Sequence, residues 1–205
     1  MPISRERFAQ GLTADEFIAE MTRNQERFED NLAAMNDFIT DEDRAFFGGR
    51  RLSIAAIAED WCTDVIQFLA PVIALARQVP DLELRVFLRD QNHDLIDQYL
   101  KQGKFRSIPV FVLYDERWNE LGYFIERPEQ VTREMAEETR RFAAAHPEIE
   151  GITRAYENMP EETRKAVSQN SSRYRWDNML RWDRICLDEL RGMVVRGAEQ
   201  RAVAD

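Results

Sequence analysis

Leu52-Ser53-Ile54-Ala55-Ala56-Ile57-Ala58 is a short apolar run, and it leads directly into Glu59-Asp60-Trp61-Cys62-Thr63-Asp64 before a dense apolar pattern begins at Val65. A run of this length ending in polar residues reads as a buried β-strand. The apolar residues that follow, Val65, Ile66, Phe68, Leu69, Val72, Ile73 and Leu75, have the density of a helix buried on more than one face, with a kink expected at Pro71. Cys62 therefore stands where a helix starts. The first N–H groups of a helix lack intrahelical partners and carry the positive end of its dipole, so a thiolate there is favoured and Cys62 is a candidate nucleophile. Asp60 and Asp64 add negative charge that opposes this effect, and either could also accept the thiol proton.

Further elements flank this stretch. On the N-terminal side, Thr13-Ala14-Asp15-Glu16 has the form of a capping box, and Phe17, Met21, Phe28, Leu32, Met35 and Ile39 follow at helical steps, which predicts one long amphipathic helix. A short helix is expected over Asp41 to Phe47, stopped by Gly48-Gly49. On the C-terminal side, Leu82 to Leu88 reads as a second strand, and Asp94 to Gln102 as a helix ended by Gly103. Ile108 to Tyr114 and Leu121 to Ile125 read as two strands joined by the polar connection Asp115 to Glu120. A helix entered at Pro128 ends at His146-Pro147, Pro147 to Asn170 is mixed and polar, and Ser171 to about Arg196 carries a second long helical pattern.

The order strand, Trp-Cys helix, strand, helix, strand beginning Ile-Pro, strand, helix resembles the thioredoxin fold over roughly Arg50 to Ala145. Two local signals carry the resemblance. Ala58-Glu59-Asp60-Trp61-Cys62, with Ala70-Pro71 in the helix behind it, looks like the thioredoxin active-site approach, and Arg106-Ser107-Ile108-Pro109 looks like the cis-proline segment that faces the active cysteine. The resemblance implies an α/β three-layer sandwich with a central mixed sheet, here with extra helices at both ends. It further implies that Cys62 is the reactive residue, that Trp61, Thr63, Asp64, Ile108 and Pro109 line the substrate surface, and that the Ile108–Pro109 bond is cis. Three features depart from the family pattern. Val65 stands where the second thiol is expected, Ala56 stands where the first strand places a buried acid, and long helical segments flank the core at each end. The expected division is an N-terminal helical extension over 1–49, a thioredoxin-like domain over 50–146 and a C-terminal helical extension over 147–205, packed as one unit.

Composition narrows the remaining choices. Cys62 and Cys186 are the only cysteines among 205 residues, which excludes a disulfide framework and suggests thiols that are reduced at rest. A formal net charge of −10 argues against a nucleic-acid binder, despite Arg173-Tyr174-Arg175-Trp176 and Arg181-Trp182-Asp183-Arg184, where arginines and aromatics alternate. His93 and His146 belong to no metal-ligand spacing, so no metal or other cofactor is expected. There is no apolar run of membrane-spanning length and no export signal, which points to a soluble, cytoplasmic protein. Cys186 recurs with Met179, Trp182, Leu190 and Met193 at helical steps, and so reads as a packed residue rather than a resolving thiol.

Two functions fit these residues. In one, Cys62 performs thiol-disulfide exchange on protein or low-molecular-weight partners, and an external thiol such as glutathione resolves the mixed disulfide. In the other, the fold is a redox-inactive binding module that recognises a protein partner beside Pro109. The substrate, the reductant and the oligomeric state leave no mark on the sequence.

Overall fold

A four-stranded mixed sheet in the order β2-β1-β3-β4 organises the chain. The computed structural model describes residues 3–204, and side chains up to residue 199. Positions 1–2 and 205, the outermost residues of the expected terminal extensions, lie outside the described residues. Strands β1 (Leu52–Ala58) and β2 (Leu82–Leu88) pair in parallel, with Leu52 opposite Leu82 and Ala58 opposite Leu88. Strand β3 (Val110–Tyr114) runs antiparallel to β1, and β4 (Glu120–Ile125) antiparallel to β3. The two central strands are apolar almost throughout because both of their faces are covered; β3 is buried along its whole length, and β1 at every position except Ser53. With its flanking helices this is an α/β, thioredoxin-like architecture.

The parallel pair is connected by α5 (Thr63–Gln78), which is buried from Asp64 through Leu75 without interruption and runs on through Pro71. A helix that is apolar on nearly every face is stable only when covered all round, and α3 (Gln25–Ala34) supplies one of the covering surfaces. Among the described residues four helices precede the sheet: α1 (Arg5–Phe8), α2 (Ala14–Glu20), α3 and α4 (Asp41–Phe47), with reciprocal capping boxes at Thr13 of α2 and Thr40 of α4. Between α1 and α2, Leu12 exchanges two backbone hydrogen bonds with Val86 at the outer edge of β2. Gly11 is needed for that approach, because a β-carbon there would meet the Arg85 Cβ and the Phe87 ring at 2.8 Å.

The single helix expected from Thr13 to Ile39 is instead two. The chain leaves the helix after Glu20 and re-enters at Gln25 through Asn24, which has the left-handed φ of 56°. The apolar spacing continues across the break, but the Asp60 carboxylate accepts hydrogen bonds from the Thr22 and Arg23 N–H groups, which a continuous helix would have kept for itself. The helix expected over Asp94 to Gln102 also shortens, to α6 (His93–Ile96). Beyond it the turns close by three-residue bonds, Gln98 N–H to Leu95 and Tyr99 N–H to Ile96, and a small loop closed by reciprocal bonds between Lys101 and Phe105 follows. Leu95, Ile96 and Tyr99 are buried as their spacing suggested, by a tighter winding than an α-helix.

The chain divides into two compact units, one of Met1–Arg127 with Cys186–Asp205 and one of Pro128–Ile185. The second unit contains α7 (Glu129–Ala145) and the first part of α8, which runs from Glu161 to Ala204, longer at both ends than the stretch Ser171 to Arg196 expected. A small apolar cluster of Ile152, Met159 and Val167, with Phe142, Ala143 and Ile149 packed against it, forms part of its interior. Glu134 is held well below the usual carboxylate range, at about 2, by the Arg181 guanidinium and, against the effect of burial, by the Trp182 N–H.

Candidate functional site

Cys62 is the N-cap residue of α5, with extended backbone (φ −88°, ψ 121°) and its carbonyl accepting the first helical bond, from the Ile66 N–H at 3.0 Å. Its own N–H bonds back to the Glu59 carbonyl at 3.2 Å, closing the turn that leads from β1 into the helix. The side chain makes no cap bond to the helix. The half-buried thiol donates instead to the Ile108 carbonyl oxygen, with Sγ 3.4 Å away. Through that contact the thiol lies beside the backbone of the segment that enters β3, where Ile108 and Pro109 are buried and joined by a cis peptide bond.

A third loop closes the site from the end of β2. The Arg89 guanidinium lies 4.7 Å from the centre of the Trp61 ring and donates to the Arg106 carbonyl, so one side chain bridges the Trp-Cys turn and the segment before Pro109. Arg89 is in turn paired with Asp90, and Arg106 holds Asp97 through two bonds of 2.7 and 2.8 Å. Trp61 keeps 39% of its surface exposed and Phe105 57%, so large apolar surface remains open on the Trp-Cys turn and on the segment before Pro109.

The two aspartates next to the cysteine are both engaged. Burial alone would raise Asp60, but the Thr22 and Arg23 N–H groups and the Thr22 hydroxyl together hold it below the usual range. Asp64 is buried and faces Arg127, whose Nη1 lies 3.1 Å from Oδ1 and 3.2 Å from Oδ2. Glu59 behaves in the opposite way: burial pushes its carboxyl up, against the Asp90 N–H that bonds to it at 2.7 Å. It lines a cavity of about 150 Å³ with Phe17, Met21, Thr22 and Leu88.

The structure therefore brings Trp61, Cys62, Ile108 and Pro109 to one place, with Thr63 exposed beside them and Asp64 turned inward to Arg127. Val65, at the position of the missing second thiol, is fully buried, and so is Ala56 in β1. Cys186 is buried in α8, where its thiol lies 3.9 Å from the Phe68 carbonyl. Phe68 is six residues along α5 from Cys62, about 9 Å of helix rise, so Cys186 packs against the body of the helix and Cys62 caps its start. Glu126 and Arg127 had no signal in the sequence. Glu126 takes a left-handed φ of 71°, and its N–H holds the Pro109 carbonyl at 2.6 Å. Among the described residues no three His, Cys, Asp or Glu side chains converge to hold a metal ion, and no helix is long and apolar enough to cross a membrane.

Comparison with known proteins agrees with this fold. The sequence model of a protein family described as Thioredoxin matches residues 11–140. No curated protein matches the chain. Among solved structures, the chain is similar to an HIV epitope scaffold, with 18% identity over 92% of this chain and 95% of that one and a TM-score of 0.61. It is also similar to a protein of unknown function from Pseudomonas aeruginosa, with 20% identity over 84% of this chain and 96% of the other and a TM-score of 0.59. At these identities the likeness is one of fold.

Proposed function

Since the chain belongs to the thioredoxin family, we propose that it is a monothiol redox protein in which Cys62 carries out thiol-disulfide exchange. The observation that carries this reading is the position of Cys62 at the N-cap of α5, half-buried, with Sγ 3.4 Å from the Ile108 carbonyl. The start of α5 favours the thiolate by about 0.3–1 kcal/mol, the usual value of a helix terminus for an anion. The thiol's bond to the Ile108 carbonyl favours the neutral form and is given up when Sγ ionises to attack a partner.

The exchange proceeds in two balanced steps. The Cys62 thiol loses its proton to solvent, and the thiolate attacks one sulfur of a disulfide, forming a mixed disulfide as the other sulfur leaves as thiolate. An external thiolate such as glutathione then attacks the partner's sulfur, and Cys62 leaves as thiolate. No internal thiol takes the second step, since Val65 occupies the neighbouring position and Cys186 faces Phe68. The substrates are protein or low-molecular-weight disulfides, and a reducing compartment, the cytoplasm, supplies the resolving thiol.

A second reading rests on a specific feature. With no second thiol, the exposed rings of Trp61 and Phe105 could serve a binding module that recognises a protein partner beside Pro109 without turnover. Incubation with glutathione disulfide followed by peptide mapping separates the two. Monothiol exchange predicts one adduct, on Cys62, removed by reduced glutathione; a protein that stays unmodified while folded supports the binding module.

A further inference from the structure

We propose that Arg127 is a positioning residue for Cys62: it neutralises Asp64 in the first turn of α5 and so keeps a buried carboxylate from opposing ionisation of the thiol. The inference rests on the reading of Cys62 as a nucleophile and concerns what tunes it. Asp64 is the second residue of α5, two positions after Cys62. A carboxylate there competes for the same helix-terminal field that favours a thiolate and repels that thiolate directly. Solvent does little to screen it, because the Asp64 side chain is 11% exposed and that of Arg127 16%. Both carboxylate oxygens lie within 3.2 Å of Arg127 Nη1, so the position two residues after Cys62 carries an ion pair in place of a bare charge.

The placement of Arg127 is itself enforced. It follows Glu126, whose left-handed backbone directs its N–H to the Pro109 carbonyl and whose carboxylate pairs with both Arg127 and Lys101. Asp64, Arg127, Glu126 and Lys101 thus alternate in charge from the start of α5 to the loop before β3. The dipeptide after β4 thereby holds Pro109 through the backbone and Asp64 through the side chain.

The other charged groups around the site are held elsewhere. On the turn before Cys62, Glu59 accepts from the Asp90 N–H, and Asp60 from the Thr22 and Arg23 N–H groups. After β2, Arg89 pairs with Asp90, and before β3, Arg106 pairs with Asp97. None of these contacts involves Arg127, so its replacement leaves them in place and alters the balance at Asp64.

The test is the rate of iodoacetamide alkylation at Cys62 across pH, read by peptide mapping so that Cys186 does not interfere. Arg127→Met should raise the midpoint of the profile by about one pH unit, and Asp64→Asn should lower it by a similar amount. Arg127→Met combined with Asp64→Asn should return the midpoint to near that of the parent, and Arg127→Lys should stay close to it. A purely structural role for Arg127 does not produce opposite signs in the two single variants or their cancellation in the double. Midpoints that do not move, or that move in the same direction in both single variants, overturn the proposal. If Arg127→Met does not fold by circular dichroism, Asp64→Asn decides alone, and a midpoint that stays or rises rejects the inference. Alkylation reads ionisation of Cys62 whether or not the protein exchanges disulfides. A parent protein that forms no glutathione adduct therefore removes the monothiol reading while leaving this coupling to be measured.

Discussion

The two cysteines meet the same helix at different places. Cys62 caps the start of α5, half-buried, beside the backbone of Ile108 and Pro109, whereas Cys186 is fully buried in α8 against the carbonyl of Phe68, in the middle of α5. Chemically the side chains are identical. The first N–H groups of a helix have no partner within it and carry the positive end of its dipole, whereas in its middle the N–H groups bond along the helix and a thiol packs as a small apolar residue. The contrast in surroundings is what the proposed function rests on: a helix start beside Cys62, and close packing around Cys186. It also implies that substitutions at the two positions have opposite consequences for chemistry and for stability.

The largest expected effect is chemical. Cys62→Ser should reduce glutathione incorporation by at least roughly 100-fold, because the thiolate is the attacking species, while Cys186→Ser should leave it unchanged within about twofold. Incorporation that follows Cys186 would invert the comparison. The next effect is on stability, and the order reverses. Cys186→Ser puts a hydroxyl into a closed apolar site and should lower unfolding free energy by about 1–2 kcal/mol, whereas Cys62→Ser, at a half-exposed cap where serine is well tolerated, should stay within about 0.5 kcal/mol. Urea melts of the two variants measure this directly.

A smaller, pH-dependent pair of effects sharpens the account of the turn before Cys62. Asp60 is held below its ordinary value of 3.8, so its contribution to stability is present above that value and disappears as pH falls through the lower, folded one. Asp60→Asn should therefore cost about 1 kcal/mol at neutral pH, with the loss fading in acid. Glu59 is pushed above its ordinary value of 4.5 by burial, so the folded state holds its proton more tightly than the unfolded chain and stability falls as pH rises between the two values. Glu59→Gln, which retains an oxygen for the Asp90 N–H, should stabilise by up to about 1 kcal/mol at neutral pH and have no effect well below pH 4. Denaturation midpoints across pH that move together for the two variants would contradict this division.

The strands were legible because their signal is local. Leu52–Ala58 and Leu82–Leu88 are apolar runs bounded by polar residues, and both fold as strands over those residues. The start of α5 was equally clear, since Thr63 and Asp64 follow a turn and precede a long apolar block. The break between α2 and α3 was not, because the residue that causes it, Asp60, lies 38 positions from Thr22. Helical spacing in Phe17, Met21 and Phe28 persists through the break, so periodicity alone favours one helix. The site shows the same limit. Trp61 and Cys62 announce themselves by type and place, and Ile108 and Pro109 through the family resemblance. Arg127 is 63 residues from Asp64 and meets it only because the chain after β4 returns to the start of α5, a pairing that no local pattern encodes.

The central claim is that the fold, and not merely the presence of a thiol, makes Cys62 reactive. Its most direct test is the second-order rate constant for reaction of Cys62 with glutathione disulfide at neutral pH, measured for the folded protein and for the same chain unfolded in urea. The account predicts that the folded protein reacts faster, by roughly two- to fivefold, as expected for a thiol whose anion is favoured by about 0.3–1 kcal/mol at a helix start. A folded rate equal to or below the unfolded one would contradict it and leave Cys62 as part of a binding surface.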